Sequence, residues 1–196
     1  MKIIGVTGGI GSGKSAVLDI LRNEYNAKVY EADKLAHNLI EKGKPLYNSY
    51  IRLLGKDILD ENYEIDRSKV SKIVFQDMDK LQKLNDLVHP TVKEYILYLI
   101  EEERKKGTEI FVIEAALLIQ DGYKSICDEI WFIHVPRDLR IERLKASRGY
   151  SQEKCEKIIN NQPASSYFSS NSDHVIENDG NFIELSEKIG DLLQKS

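Results

Sequence analysis

The run Gly8-Gly9-Ile10-Gly11-Ser12-Gly13-Lys14-Ser15 concentrates residue types that handle phosphate. Gly8, Gly13, Lys14 and Ser15 fit GxxxxGK[ST], a loop whose backbone curls around an anion. Successive N–H groups must point inward, and a Cβ would block both the tight turn and the close approach. A helix beginning at this point adds unpaired N–H donors and the positive end of its dipole. Lys14 supplies charge to the β- and γ-phosphates, and the Ser15 hydroxyl is a ligand for Mg2+. Gly9, Ile10, Gly11, Ser12, Gly13, Lys14, Ser15 and Ala16 therefore form the candidate nucleotide-binding stretch. The alternative, a plain strand-to-helix turn, needs neither Gly8, Gly9, Gly11 and Gly13 nor a lysine.

The elements around that loop have the required pattern. KIIGVT (2–7) is rich in β-branched residues and reads as a buried strand. SAVLDILRNEY (15–25) follows with apolar residues at Val17, Leu18, Leu21 and Tyr25, a helical period. AKVYEAD (27–33) reads as a second strand, whose last residue, Asp33, opens the helical stretch KLAHNLIEKG. From 43 to 106 the strand pattern disappears, and GKPLYNSYIRLLG, DRSKVSKIVF, LQKLNDLV and HPTVKEYILYLIEEERKKG all read as helices. Strands return at TEIFVIEAALLI (108–119) and DEIWFIHV (128–135). Residues 136–162 read as two helices around the turn Ser147-Arg148-Gly149. SDHVIEN (172–178) is a last strand and NFIELSEKIGDLLQK (181–195) a closing amphipathic helix. Strands alternating with helices imply an α/β fold, a parallel sheet covered on both faces in three layers, with two helical excursions.

Composition narrows the function. A chain of 196 residues is enough for one domain with a real core. A net charge of −4 argues against nonspecific nucleic-acid binding. Cys127 and Cys155 lie far apart with no zinc spacing and read as reduced thiols of a cytosolic protein. IIGV is too short for a signal peptide, and no segment approaches the ~20 apolar residues of a membrane span. The histidines show no metal spacing, so Mg2+ is expected only with nucleotide. Neither NKxD nor a DxxG after a strand is present, which speaks against a switch GTPase, and the length leaves little room for a motor. A small-molecule kinase needs an acceptor region, a base and cations over the transferring group. One helical excursion can hold the acceptor. The other, with Arg137, Arg140, Arg143 and Arg148, can close as a lid and exclude water.

At this point the residues resemble a known family. TGGIGSGKS followed by EAD is similar to dephospho-CoA kinase. The likeness continues in family order through GKPLY (43–47), IDR (65–67), VF (74–75), LN (84–85), HP (89–90), EAALLIQDGY (114–123), RLKASRGYS (143–151), Gln162 and SDHVIENDG (172–180). It implies a P-loop kinase fold: a nucleotide-binding core at 1–34, 107–136 and 163–196, a helical coenzyme-binding region at 35–106, and a lid at 137–162. It implies transfer of the γ-phosphoryl of ATP to the ribose 3′-hydroxyl of dephospho-CoA, the last step of coenzyme A synthesis. ATP and Mg2+ are then the cofactors, the partners are small molecules rather than nucleic acid or membrane, and the setting is cytoplasmic.

The resemblance also gives roles. Asp33 stands where the family has the second Asp of its DAD motif, so it orients or deprotonates the attacking hydroxyl; by residue type alone it is equally a helix cap. Lys14, Arg143 and Arg148 join it as the catalytic set. Arg67 serves the coenzyme's phosphates or is a solvated surface arginine, and Asp66 before it is expected as an N-cap. His89 lines the acceptor site or caps a turn, with Pro90 expected at the first position of a helix. Leu117 is expected at the substrate, and Glu114 holds Mg2+ through water. Asn178 and Gly180 lie near the adenine and also form a turn. The chain departs from the family pattern at Glu31 (usually Asp), His37 (usually Arg), Ala116 (usually Pro), Gln120 (usually Glu) and Ser147 (usually Arg, here one residue later at Arg148). The rival readings are a nucleoside monophosphate kinase and a nucleotide-binding regulator without catalysis.

Overall fold

The computed structural model describes residues 1–195; Ser196, included in the expected core, lies outside the described residues. The chain forms two compact units, one of Met1–Val29 with the chain from Gly107 onward, the other Tyr30–Lys106.

The first unit is built on parallel strands. β1 (Lys2–Thr7) is buried from Ile3 to its end, as expected for a strand covered on both faces. The five-stranded sheet has the order β2-β3-β1-β4-β5, with β2 at Lys28–Glu31, β3 at Ile110–Glu114, β4 at Glu129–His134 and β5 at His174–Glu177. β3 and β4 run parallel to β1, and β5 parallel to β4. Their carboxyl ends therefore share one edge: Val6 pairs with Glu114, and His134 with Glu177. Ile4, Val6, Val112, Trp131 and Ile133 of the sheet form one core with Val17, Leu18 and Leu21 of α1 (Lys14–Glu24) and Leu185 and Ile189 of α9 (Phe182–Lys195).

α6 (Arg137–Arg148) and α7 (Gln152–Asn160) share a smaller core of Ile141, Leu144, Cys155 and Ile159. The turn between them begins later than expected. Gly149, at φ 63°, ends α6, and Ser151 caps α7, so Ser147 and Arg148 are helical. The Ser147 hydroxyl donates back to the Arg143 carbonyl (2.6 Å), which lets a serine complete a helix. α8 (Ser165–Ser170) was not expected; six polar-rich residues give no period, and it is fixed by Phe168 stacking on Phe132 at 5.1 Å.

The second unit is helical: α2 (Ala32–Leu39), α3 (Tyr47–Leu54), α4 (Arg67–Gln76) and α5 (Met78–Lys105), with a 3-10 turn at Lys56–Ile58. α5 packs against α2, α3 and α4. Asp66 caps α4 as expected, accepting from the Ser68 and Lys69 N–H groups. Two expectations are corrected. First, the strand ends at Glu31, and Asp33 lies in the first turn of α2 rather than at the strand end or cap. The buried face Ala32-Leu35-Leu39 starts the helix early, and a carboxylate in its first turn suits the dipole. Second, LQKLNDLV and HPTVKEYILYLIEEERKKG are one 28-residue helix, with Pro90 inside it and not at its start. An interior proline costs about 3 kcal/mol. Burying Leu84, Val92, Ile96 and Ile100 along one stripe across it outweighs that cost, at roughly 1.5–3 kcal/mol per side chain.

At the end of α5, the buried Glu103 accepts from Tyr30 Oη (3.1 Å) and Lys106 Nζ (2.8 Å). Burial first, then Glu103, pushes the Tyr30 phenol up to about 12. Among the described residues no helix is long and apolar enough to cross a membrane.

Candidate active site

Between β1 and α1 the chain turns through Gly11 and Gly13, both at φ 79°. Gly13 is the N-cap of α1, and no side chain caps the helix, which leaves first-turn N–H groups to a ligand. Ser12 N–H bonds to the Gly9 carbonyl and Ala16 N–H to the Gly13 carbonyl, both at 3.1 Å, which shapes the loop internally. Lys14 Nζ donates to the Gly8 carbonyl (2.9 Å) and pairs with Glu114 at 3.5 Å. The lysine is thus folded across the loop, and the end of the neighbouring strand β3 supplies its counter-charge.

Three further groups reach the loop within the same unit. Asn178, just past β5, is buried, and its Nδ2 donates to the Ser12 carbonyl (2.8 Å). A Cβ on Gly13 would collide with that amide. Asn178 thus braces the loop. Gly180 lies against the Glu184 carboxylate at the start of α9. From α6, Arg140 Nε donates to the Ile10 carbonyl (2.8 Å), and its guanidinium also meets Gln162 Oε1. Gln162 Oε1 in turn accepts the Ile10 N–H (3.1 Å). Burial first, then Arg137, holds the Arg140 guanidinium below its usual range.

Of the two expected lid arginines, Arg143 approaches Gly13, its guanidinium 3.5 Å from where a Cβ would stand. Arg148 lies over the Tyr150 ring at 5.9 Å. Arg140 was expected only among the arginines of the lid and Gln162 only as part of the family likeness; neither was expected at the loop. The available signal was that Arg140 precedes Arg143 by one helical turn, on the same face of α6.

In the helical unit, Asp33 and His37 stand one turn apart on α2, and Arg67 opens α4. His37 is held below its ordinary value by burial, then by Arg67, with Asp33 opposing. Burial raises the Tyr50 phenol, and Arg67 works against it. These four groups form one mixed-charge cluster in which Asp33, His37 and Arg67 are exposed and Tyr50 is buried. His89 is half-buried midway along α5. Leu117, in the turn after β3, is exposed.

The loop residues fit a polyphosphate: left-handed glycines, open helix N–H groups and a lysine. They also fit Mg2+. Ser15 Oγ and the Glu114 carboxylate are hard oxygen donors flanking Lys14 in sequence and in space respectively. Among the described residues no three His, Cys, Asp or Glu side chains converge as a metal site. A cation would therefore draw its other ligands from nucleotide oxygens and water.

Comparison with known proteins adds an independent line. The family model for dephospho-CoA kinase matches residues 2–184. A dephospho-CoA kinase of Carboxydothermus hydrogenoformans is 37% identical over 195 residues, covering 100% of this chain and 94% of that protein. One of Streptococcus agalactiae is 37% identical over 194 residues, covering 99% and 98% respectively. The solved structure of dephospho-CoA kinase from Campylobacter jejuni superposes with a TM-score of 0.74 at 24% identity, covering 100% of this chain and 97% of that one, which shows the shared fold.

Proposed function

The chain belongs to the dephospho-CoA kinase family, and from that premise we propose how its own residues carry the family's reaction. The reaction is ATP-dependent phosphorylation of dephospho-CoA, the final step of coenzyme A biosynthesis. The single observation that carries the assignment of roles is the loop between β1 and α1, with Lys14 folded across it onto Gly8 and Glu114.

Residues 9–16 bind the phosphates of ATP through main-chain N–H groups and Lys14. Ser15 and Glu114 hold the Mg2+ that, when bound, neutralises charge on the β- and γ-phosphates. Asp33 orients the ribose 3′-hydroxyl of the acceptor and takes its proton as the oxygen attacks. Arg143, drawn to Gly13, stabilises the charge on the transferring phosphoryl group. Arg148 reaches phosphate only by leaving Tyr150. Arg67, His89 and Leu117 bind dephospho-CoA, with Arg67 meeting its phosphates. Asn178 and Gly180 flank the nucleotide while Asn178 also braces the loop. The helical segment 35–106 is the coenzyme-binding region and 137–162 the lid. Two unbridged cysteines support a cytoplasmic setting.

The test is ADP release from the purified protein with ATP, Mg2+ and dephospho-CoA, run beside Lys14→Ala and Asp33→Asn. Turnover requires dephospho-CoA, yields CoA, and falls by about 10²–10⁴-fold in each variant. Full activity in Asp33→Asn would remove the base; phosphorylation of a nucleoside monophosphate instead would reassign the acceptor.

A further inference from the structure

Ile10 is held from three sides. Its N–H donates to Gln162 Oε1 (3.1 Å), and its carbonyl accepts from Arg140 Nε (2.8 Å). Its side chain packs on the core shared by α6 and α7. Arg140 closes the arrangement by also donating to Gln162 Oε1, so one amide oxygen gathers a loop N–H and a guanidinium. The guanidinium lies against Gly9 so closely that any Cβ there would strike it.

The acceptors are the informative part. Arg140 is half-buried, yet its bonds go to a main-chain carbonyl and a neutral amide, with no carboxylate partner among the described residues. Lys14, by contrast, has Glu114. A planar guanidinium suits a fork of two fixed acceptors, and a lysine cannot reproduce that geometry. The loop needs such fixing. Gly11 and Gly13 permit its left-handed turns, but glycine is also the residue with the most freedom to lose. A loop already ordered gives up less entropy when its ligand binds.

We propose that Arg140 and Gln162 are positioning residues for the polyphosphate of ATP, acting through Ile10 to hold the phosphate loop in its binding shape before nucleotide arrives. This rests on the nucleotide-binding reading of the loop but not on the identity of the acceptor. The pair makes the start of α6 and the segment after α7 part of the phosphate site's frame.

The experiment is calorimetric titration with ATP and with AMP, without acceptor, on the wild type, Gln162→Leu, Gln162→Glu and Arg140→Lys. Gln162→Leu and Arg140→Lys should each weaken ATP about 10-fold, the scale of one lost charged hydrogen bond. AMP affinity should stay within about twofold, because AMP lacks the phosphates that fill the loop. Gln162→Glu keeps the accepting oxygen and should restore ATP binding to within about threefold. The proposal is overturned if Gln162→Leu binds ATP like the wild type. It is equally overturned if Arg140→Lys is unimpaired, which would make charge rather than geometry the role. Parallel losses for ATP and AMP, or a Gln162→Glu protein as weak as Gln162→Leu, would reduce the contacts to general scaffolding. Should Gln162→Leu fail to fold, Arg140→Lys against Gln162→Glu decides alone. A wild type that binds ATP but leaves dephospho-CoA untouched would overturn the acceptor and leave this test standing.

Discussion

In the phosphate loop, Lys14, Arg140, Asn178 and Gln162 each bond to a main-chain atom of residues 8–12. In the helical unit, Asp33, His37 and Arg67 are exposed, and His37 feels the charges of the other two. Under the proposed roles, the difference follows from the ligands. A polyphosphate presents the same oxygens whatever molecule carries it, so backbone fixed in advance can receive it at little entropic cost. An acceptor varies in shape and is met by side chains that still have freedom to adjust. The comparison teaches where substitutions should cost fold stability: most where a side chain holds backbone, least where charged side chains meet in solvent.

The sharpest way to break this contrast is Asn178→Ala. It removes the buried donor to the Ser12 carbonyl, and a buried group left without its partner costs about 1–3 kcal/mol. The thermal midpoint should fall, and ATP affinity should fall with it while dephospho-CoA affinity holds. Unchanged ATP affinity in a destabilised protein would show that the loop does not need its brace.

A smaller effect is expected at His37. Burial and Arg67 lower its pKa from 6.5, so it is neutral at and above that pH and gains a proton only below it. Protonation adds positive charge beside Arg67, which favours an anionic coenzyme. KM for dephospho-CoA, measured from pH 5 to 8, should therefore fall for wild type relative to His37→Gln only below pH 6.5. Parallel profiles would detach His37 from the acceptor.

The smallest effect belongs to Tyr30, whose phenol is raised from 10.0 to about 12 in the folded protein. A raised pKa means that the folded state keeps its proton more tightly than the unfolded one. The stability this adds is fully present below pH 10 and is lost as pH rises toward 12. Urea midpoints of wild type and Tyr30→Phe should accordingly converge over that interval. A gap that stays constant would mean the Glu103 contact contributes packing alone.

The loop was legible because everything that defines it is local: the glycines, the lysine, and the strand and helix on either side lie within residues 2–25. β1, β3 and β4 were legible for the same reason, their apolar runs being continuous. Elsewhere the neighbours decided. Pro90 reads as a helix start, yet the stripe from Leu84 to Ile100 carries the helix through it. α8 has no pattern of its own and depends on Phe132, a residue of another element. Asn178 reads as a turn residue, and only its amide at Ser12 discloses the brace.

The sequence by itself determined the phosphate chemistry, the parallel α/β plan and the family, since each rests on residue types at short, fixed spacings. The tertiary structure alone decided which arginine meets which atom. Arg140, Arg143 and Arg148 are alike in type and share one helix, but one bonds Ile10, one approaches Gly13 and one lies over Tyr150. The physical reason is that a guanidinium's role is set by the acceptors and rings within a few ångströms. For Arg140 and Arg143 those come from the loop at Ile10 and Gly13, about 130 residues away in sequence, which no local pattern encodes.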